Sequence, residues 1–178
     1  LADSFSKLVA GPHDADLDLG PLINLKQRDR VAGMIAAAKQ AGVSVLAEGS
    51  VHKDAPAGGY YQAPVLFGAV DPQAVIAQEE VFGPVLALFP FDDEQEAIRL
   101  ANGTDFGLVA GVWTKDGSRQ HRVAKQVRAG QVFINNYGAG GGVELPFGGF
   151  KKSGHGREKG FEALYDMSAT KTVVFHHG

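Results

Sequence analysis

The sequence predicts an α/β fold, a mostly parallel open sheet with helices on both faces. Three observations point to it. Short β-prone segments alternate with helical ones, residues 108–114 form the near-continuous apolar run of a strand buried on both faces, and the helical stretches are long enough to serve as crossovers. The 178 residues are 44% apolar and 21% charged, enough for a core that removes roughly 70% of the unfolded surface from water. Twenty-four glycines, about twice the usual ~7%, predict many turns with positive φ.

Residues 2–9 read as the end of an amphipathic helix begun upstream, and residues 11–21 mix turn formers with acids and form a loop. Asn24 caps a helix over 25–41 with Val31, Met34, Ile35 and Ala38 on one face, and Gly42 is its natural terminator. A strand over 43–47 follows. Residues 48–62, rich in Gly, Pro and polar groups, make a surface excursion before the extended segment 63–70, which Asp71-Pro72 ends. A short helix over 73–78 and a tight connection over 79–84 lead into the strand 85–89. Asp93 with Glu96 three residues on caps the helix 94–101, which Asn102-Gly103 stops. Strand 108–114, basic helix 118–129 ended by Gly130, and strand 132–134 complete the alternation. Behind the glycine-rich stretch 135–156 stand a helix over 157–167 and a β-prone run, 170–175, without a visible partner. No repeat or composition shift marks a second independent domain. Parallel sheets place ligands at the carboxyl ends of their strands, which directs attention to the loops after Thr114 and Ile134.

Seventeen basic against twenty acidic residues give a net charge of -3, so no global field favours nucleic acid or an anionic membrane. No apolar stretch approaches the ~20 residues of a membrane helix and no leader pattern opens the chain, so a cytoplasmic location is expected. Cysteine is absent, which excludes disulfides and a cysteine nucleophile within these residues. The six histidines have no ligand spacing, and no metal site is expected. Gly154 to Gly160 misses the dinucleotide fingerprint by one residue and follows no strand. Arg119, Arg122, Lys125 and Arg128 share a helix face that reads as solvated. In Glu79-Glu80-Val81-Phe82-Gly83-Pro84, a turn-mounted carboxylate can accept two hydrogen bonds from a vicinal diol, and the aromatic two residues on can pack against a flat ring. An ordinary turn with solvent-exposed acids fits the same letters.

Four motifs stand in order: Leu19-Gly20-Pro21-Leu22-Ile23; Glu79 to Val85; Asn102-Gly103-Thr104-Asp105-Phe106-Gly107-Leu108 running into Gly111-Val112-Trp113-Thr114; and Pro146-Phe147-Gly148-Gly149-Phe150-Lys151-Lys152-Ser153-Gly154-His155-Gly156-Arg157-Glu158. Together they resemble the C-terminal part of the aldehyde dehydrogenase superfamily, over nearly the whole chain. The resemblance implies a catalytic-domain portion over residues 1–168 and a C-terminal strand or tail over 169–178 that joins the oligomerisation sheet of a homo-oligomer. It implies that Glu80 holds the hydroxyls of the nicotinamide ribose of NAD or NADP and that Phe82 lies beside the nicotinamide. Asn135 then matches a residue near the aldehyde tunnel, Phe147 an aromatic wall of it, and Glu158 a carboxylate that relays protons toward the general base.

That family attacks an aldehyde with a cysteine thiolate, passes hydride to NAD(P) and releases a carboxylic acid. The resemblance places nucleophile, oxyanion asparagine, general base and dinucleotide-binding domain ahead of Leu1, so the chain by itself is expected to be inactive. A different expectation is a naturally short, noncatalytic module that adds its last strand to a relative's sheet edge. Glycines between Asn135 and Phe147 imply a wider or more mobile substrate tunnel, and Glu144 reads as solvated rather than as a partner for a cationic substrate.

Overall fold

A computed structural model describes residues 1–138 and 142–178. The chain forms two compact units, Leu1–Phe91 and Asp92–Gly178. The first contains α1 (Ala2–Phe5), β1 (Val9–Ala10), α2 (Leu25–Gln40), β2 (Ser44–Glu48), β3 (Ser50–Val51), β4 (Val65–Gly68), α3 (Val75–Gln78) and β5 (Val85–Ala87). Helix α2 begins and ends as its sequence predicts. The Asn24 side chain accepts a hydrogen bond from the Gln27 N–H at 2.8 Å, and Gly42 takes φ 81° beyond the last turn. Its apolar stripe meets β4, all four residues of which are buried. Val31, Ile35 and Ala38 there form one core with Val65, Phe67, Val70 and Ile76.

Strand β4 runs parallel to β5 but antiparallel to β2. The connections explain both directions. Helix α3 lies between β4 and β5 and permits a crossover, whereas no helix separates β2 from β4 and the chain doubles back. The expected surface excursion is partly paired, since β3 at its start lies parallel to β1.

The second unit contains α4 (Glu94–Ala101), β6 (Phe106–Gly107), β7 (Val109–Val112), α5 (Gly117–Gln126), β8 (Gln131–Ile134), β9 (Phe150–Lys151) and α6 (Glu162–Asp166). Asp93 caps α4 by accepting from the Glu96 N–H at 2.8 Å, while Glu96 reaches back to the Asp92 N–H at 2.9 Å. Strands β7 and β8 are parallel neighbours joined through α5, and β6 pairs antiparallel with β9. Gly130 precedes β8 where only glycine fits, because a Cβ there would collide with the Gly148 carbonyl.

Several expectations need correction. One open sheet is replaced by one three-stranded sheet and three two-stranded sheets among the described residues. Strands β7 and β8 are half-buried rather than buried, and Ile98 is the one buried hydrophobic residue described in the second unit. Helix 157–167 shrinks to α6, because Glu158 is held in an antiparallel bridge with Phe147 and Gly160 adopts φ 64°. Within this chain the run 170–175 pairs with no described segment, and Val174 is 85% exposed; a strand there needs a neighbouring backbone from elsewhere. Positive φ is found at three described glycines, Gly42, Gly154 and Gly160, so most of the glycines serve other ends.

With so little apolar cover, polar contacts carry much of the second unit. The Asn102 side chain donates to the Gln126 carbonyl at 2.9 Å and accepts from the Arg128 N–H at 2.7 Å, closing the end of α5. Lys151 Nζ donates to the carbonyls of Asn102 and Thr104 at 2.9 and 2.6 Å, and Ser153 Oγ accepts from the Gly107 N–H at 3.0 Å. The motifs at 102–108 and 146–158 are thus bound to each other. Lys152 adds an ion pair to Asp105 at 2.7 Å and holds that carboxyl below its usual range.

Helix α5 stops at Gln126, so of the four cations expected on one helix face Arg128 lies beyond it, and two of the remaining three are engaged as well. Arg122 binds Glu94 at 2.8 Å through two nitrogens and Arg119 binds it at 3.1 Å. Hydrogen bonding from Arg122, with Arg119 behind it, lowers the Glu94 pKa from 4.5 to about 2. A carboxylate with a depressed folded-state pKa stabilises above its unfolded value of 4.5 and loses that contribution as pH falls toward about 2. Glu94→Gln is therefore expected to lower the melting temperature at neutral pH, with the gap to wild type closing across that interval. A gap independent of pH in thermal scans would show that the pair is energetically silent.

Candidate active site

The connection from α3 to β5 is shaped by α2. Gln27 Nε2 donates to the carbonyls of Val81 and Phe82 at 3.0 and 2.9 Å. Arg30 donates to the carbonyls of Val81 and Glu80 at 2.7 and 2.8 Å. Three successive carbonyls therefore turn toward one helix, which an extended chain with alternating carbonyls cannot do. Phe82 takes φ 53°, a left-handed conformation unusual for a bulky residue. Next to it Gly83 passes so close to Val31 that a Cβ would lie 2.7 Å from a Val31 methyl. The side chains face the other way: Phe82 is 72% exposed, and the exposed Glu80 carboxylate has no hydrogen bond or ion pair among the described residues. Arg30 spends its guanidinium on backbone and leaves that carboxylate open.

In the second unit, the carboxyl ends of β7 and β8 lie side by side, as the sequence led one to look. Asn135, at φ 49°, spans them. Its backbone N–H donates to Val112 at 2.8 Å, its Oδ1 accepts from the Thr114 N–H at 2.8 Å, and its Nδ2 donates to the Thr114 carbonyl at 3.0 Å. The amide thus holds the strand ends and keeps one N–H for other partners. Asn135→Ala is expected to destabilise the chain by about 1–2 kcal/mol, from two lost hydrogen bonds and an alanine forced into left-handed geometry. Urea denaturation measures it, and an unchanged midpoint would mean the amide has no structural duty.

Phe147 and Glu158 are brought together by an antiparallel bridge, with mutual backbone hydrogen bonds of 2.7 and 2.6 Å. Both line a cleft of about 360 Å³ together with Ser153, His155, Arg157 and Asp166. Arg157 holds the turn below it by donating to the carbonyls of Gly149, His155 and Gly156, and its guanidinium lies 4.9 Å from the Phe150 ring centre. Lys159 Nζ lies 5.6 Å from the centre of the Phe147 ring. Glu144 is exposed, in keeping with a solvated acid. The glycine run that implied a wider or more mobile tunnel falls partly on residues 139–141, outside the described residues.

Gln27 and Arg30 went unread in the sequence. They stand three apart beside Val31 at the edge of the apolar stripe of α2, where long polar side chains reach a neighbouring element, and that spacing was the available signal.

The α/β framework thus presents an exposed carboxylate and a projecting aromatic from one turn that is hydrogen-bonded to α2. The chain belongs to the aldehyde dehydrogenase family, whose model matches residues 1–173. It is 42% identical over 171 residues to a betaine aldehyde dehydrogenase of Rhizobium etli, covering 96% of this chain and 35% of that protein. It is also 42% identical over 177 residues to the 4-trimethylaminobutyraldehyde dehydrogenase of Homo sapiens, again 96% of this chain and 35% of the relative. A Burkholderia cenocepacia crystal structure assigned to aldehyde dehydrogenase superposes with a TM-score of 0.94 at 61% identity, covering 100% of this chain and 37% of that one. An aldehyde dehydrogenase mutant of Pseudomonas syringae, solved with NAD+ and octanal, gives a TM-score of 0.83 at 37% identity, over 92% of this chain and 33% of that one. The chain thus spans about a third of the length of the relatives it matches. Among the described residues, no helix is long and apolar enough to cross a membrane.

Proposed function

We propose that this chain is the C-terminal part of the catalytic domain of an NAD(P)-dependent aldehyde dehydrogenase that oxidises an aldehyde to a carboxylic acid. One observation carries the reading. The turn at 79–84 presents the open Glu80 carboxylate and the exposed Phe82 ring from backbone fixed by four hydrogen bonds to α2. This arrangement fits a nicotinamide nucleotide, because a carboxylate accepts from both hydroxyls of a ribose and an aromatic ring excludes water beside a flat heterocycle. When bound, the dinucleotide supplies the hydride acceptor. The protein's part is to orient it: Glu80 fixes the ribose and Phe82 limits where the ring can swing.

In this reading Phe147 walls the aldehyde's path, Asn135 shapes the ends of β7 and β8 beside it, and Glu158 relays protons toward the general base. Residues 1–168 serve catalysis, and residues 169–178 become a strand when they find a sheet edge in a homo-oligomer working in the cytoplasm. The Phe147 ring already carries Lys159, so a neutral aldehyde tail fits it better than the trimethylammonium tails for which two relatives are named. Assay of the complete enzyme with NAD+ or NADP+ against octanal and betaine aldehyde is the test. Reduced dinucleotide should form faster with octanal. No reduction with any aldehyde would sink the assignment, and preference for betaine aldehyde would sink the argument from Lys159.

A further inference from the structure

We propose that Arg30 and Gln27 are positioning residues: they set the backbone of residues 80–82 in advance so that Glu80 and Phe82 meet a dinucleotide without reorganisation. The inference rests on the cofactor reading of that turn and goes beyond it by assigning the turn's geometry to one face of α2. Four hydrogen bonds of 2.7–3.0 Å converge from two side chains on three consecutive carbonyls. The Glu80 and Val81 carbonyls receive separate arms of one planar guanidinium, which fixes the peptide plane between them. The Phe82 carbonyl receives the Gln27 amide, and Phe82 stands in a left-handed conformation, φ 53°, that is unfavourable for a bulky side chain and persists only where its surroundings enforce it.

The anchoring end is itself tied to the helix cap and the core. Gln27 donates its own N–H to the Asn24 cap, and the next core residue on the helix is Val31, which is fully buried and touches Gly83 from below. The turn is therefore held by polar contacts on one flank and by steric contact on the other. Arg30 forms no ion pair with Glu80 among the described residues, so it orders the turn without neutralising the acid it presents. Pre-organisation of this kind raises affinity by removing the cost of ordering the loop at the moment of binding.

The test uses the complete enzyme in three forms: unaltered, Arg30→Ala and Arg30→Lys. Amide hydrogen exchange without cofactor should show faster exchange over residues 79–84 in Arg30→Ala, with β4 still protected, and an intermediate rate in Arg30→Lys, whose single ammonium cannot fork. The Kd for NAD+ and the KM for it should rise about tenfold in Arg30→Ala and be partly restored in Arg30→Lys, with kcat less affected. Unchanged exchange over 79–84 overturns the proposal, as does faster exchange with an unaltered NAD+ Kd. If Arg30→Ala fails to fold, Gln27→Leu gives the same readings at the Phe82 end. An unaltered enzyme that binds neither NAD+ nor NADP+ would overturn the underlying cofactor reading and the proposal with it, whereas intact binding with an unmoved turn would overturn the proposal alone.

Discussion

Glu80→Gln in the complete enzyme is expected to lower kcat/KM for the dinucleotide by about 10- to 100-fold, the worth of a charge-assisted hydrogen bond of ~1.5–3 kcal/mol. Folding should be untouched. The carboxylate is exposed and makes no hydrogen bond or ion pair among the described residues, while the Glu80 carbonyl keeps its bond to Arg30 whatever the side chain. Steady-state kinetics with the dinucleotide varied at saturating aldehyde would measure the effect, alongside a thermal scan. Unchanged kinetics would remove Glu80 from the site. A large fall in melting temperature would instead make it a structural acid.

Phe67→Ala is expected to cost about 3–5 kcal/mol of stability, the usual range for emptying a fully packed aromatic site. Phe67 has no exposed surface and sits in the middle strand of the three-stranded sheet, against the stripe of α2. Because α2 also holds the turn at 79–84 through Gln27 and Arg30, loosening this core should raise the dinucleotide KM before the protein unfolds. Urea denaturation followed by circular dichroism gives the stability term, and a loss below about 1 kcal/mol would mean that the site collapses around the cavity.

Much of the local structure was legible in advance because it depends on near neighbours. Helix α2 follows from Asn24, from apolar residues at three-and-four spacing and from Gly42, and α4 follows from Asp93 and Glu96. Strands β4, β5, β7 and β8 were visible as short apolar runs between turn formers. The pairing of motifs was not visible. Strands β6 and β9 are two residues each, too short for any period to show, and they exist because Lys151 and Ser153 bond to backbone more than forty residues away. Glycine misled in a physical way. Abundance implied positive φ, yet Gly83 and Gly130 are needed because another chain segment occupies the space of a Cβ.

The candidate site divided along the same line. The letters from Glu79 to Pro84 allowed a solvent-exposed turn or a ligand-bearing one, and only the contacts of Gln27 and Arg30 showed the backbone fixed and the carboxylate left open. Asn135 was marked by the family resemblance, while its bonds to Thr114 depend on β7 and β8 being neighbours. The sequence by itself determined the α/β class, the main helices and strands with their caps, and the motifs of the aldehyde dehydrogenase family. Those properties rest on periodicity and on residues a few positions apart. Tertiary structure alone decided the strand directions, the division at Phe91, the engagement of Arg119 and Arg122 by Glu94 and the clamp on the turn at 79–84. Each of these depends on which distant segments share a surface, and a linear pattern holds no record of that.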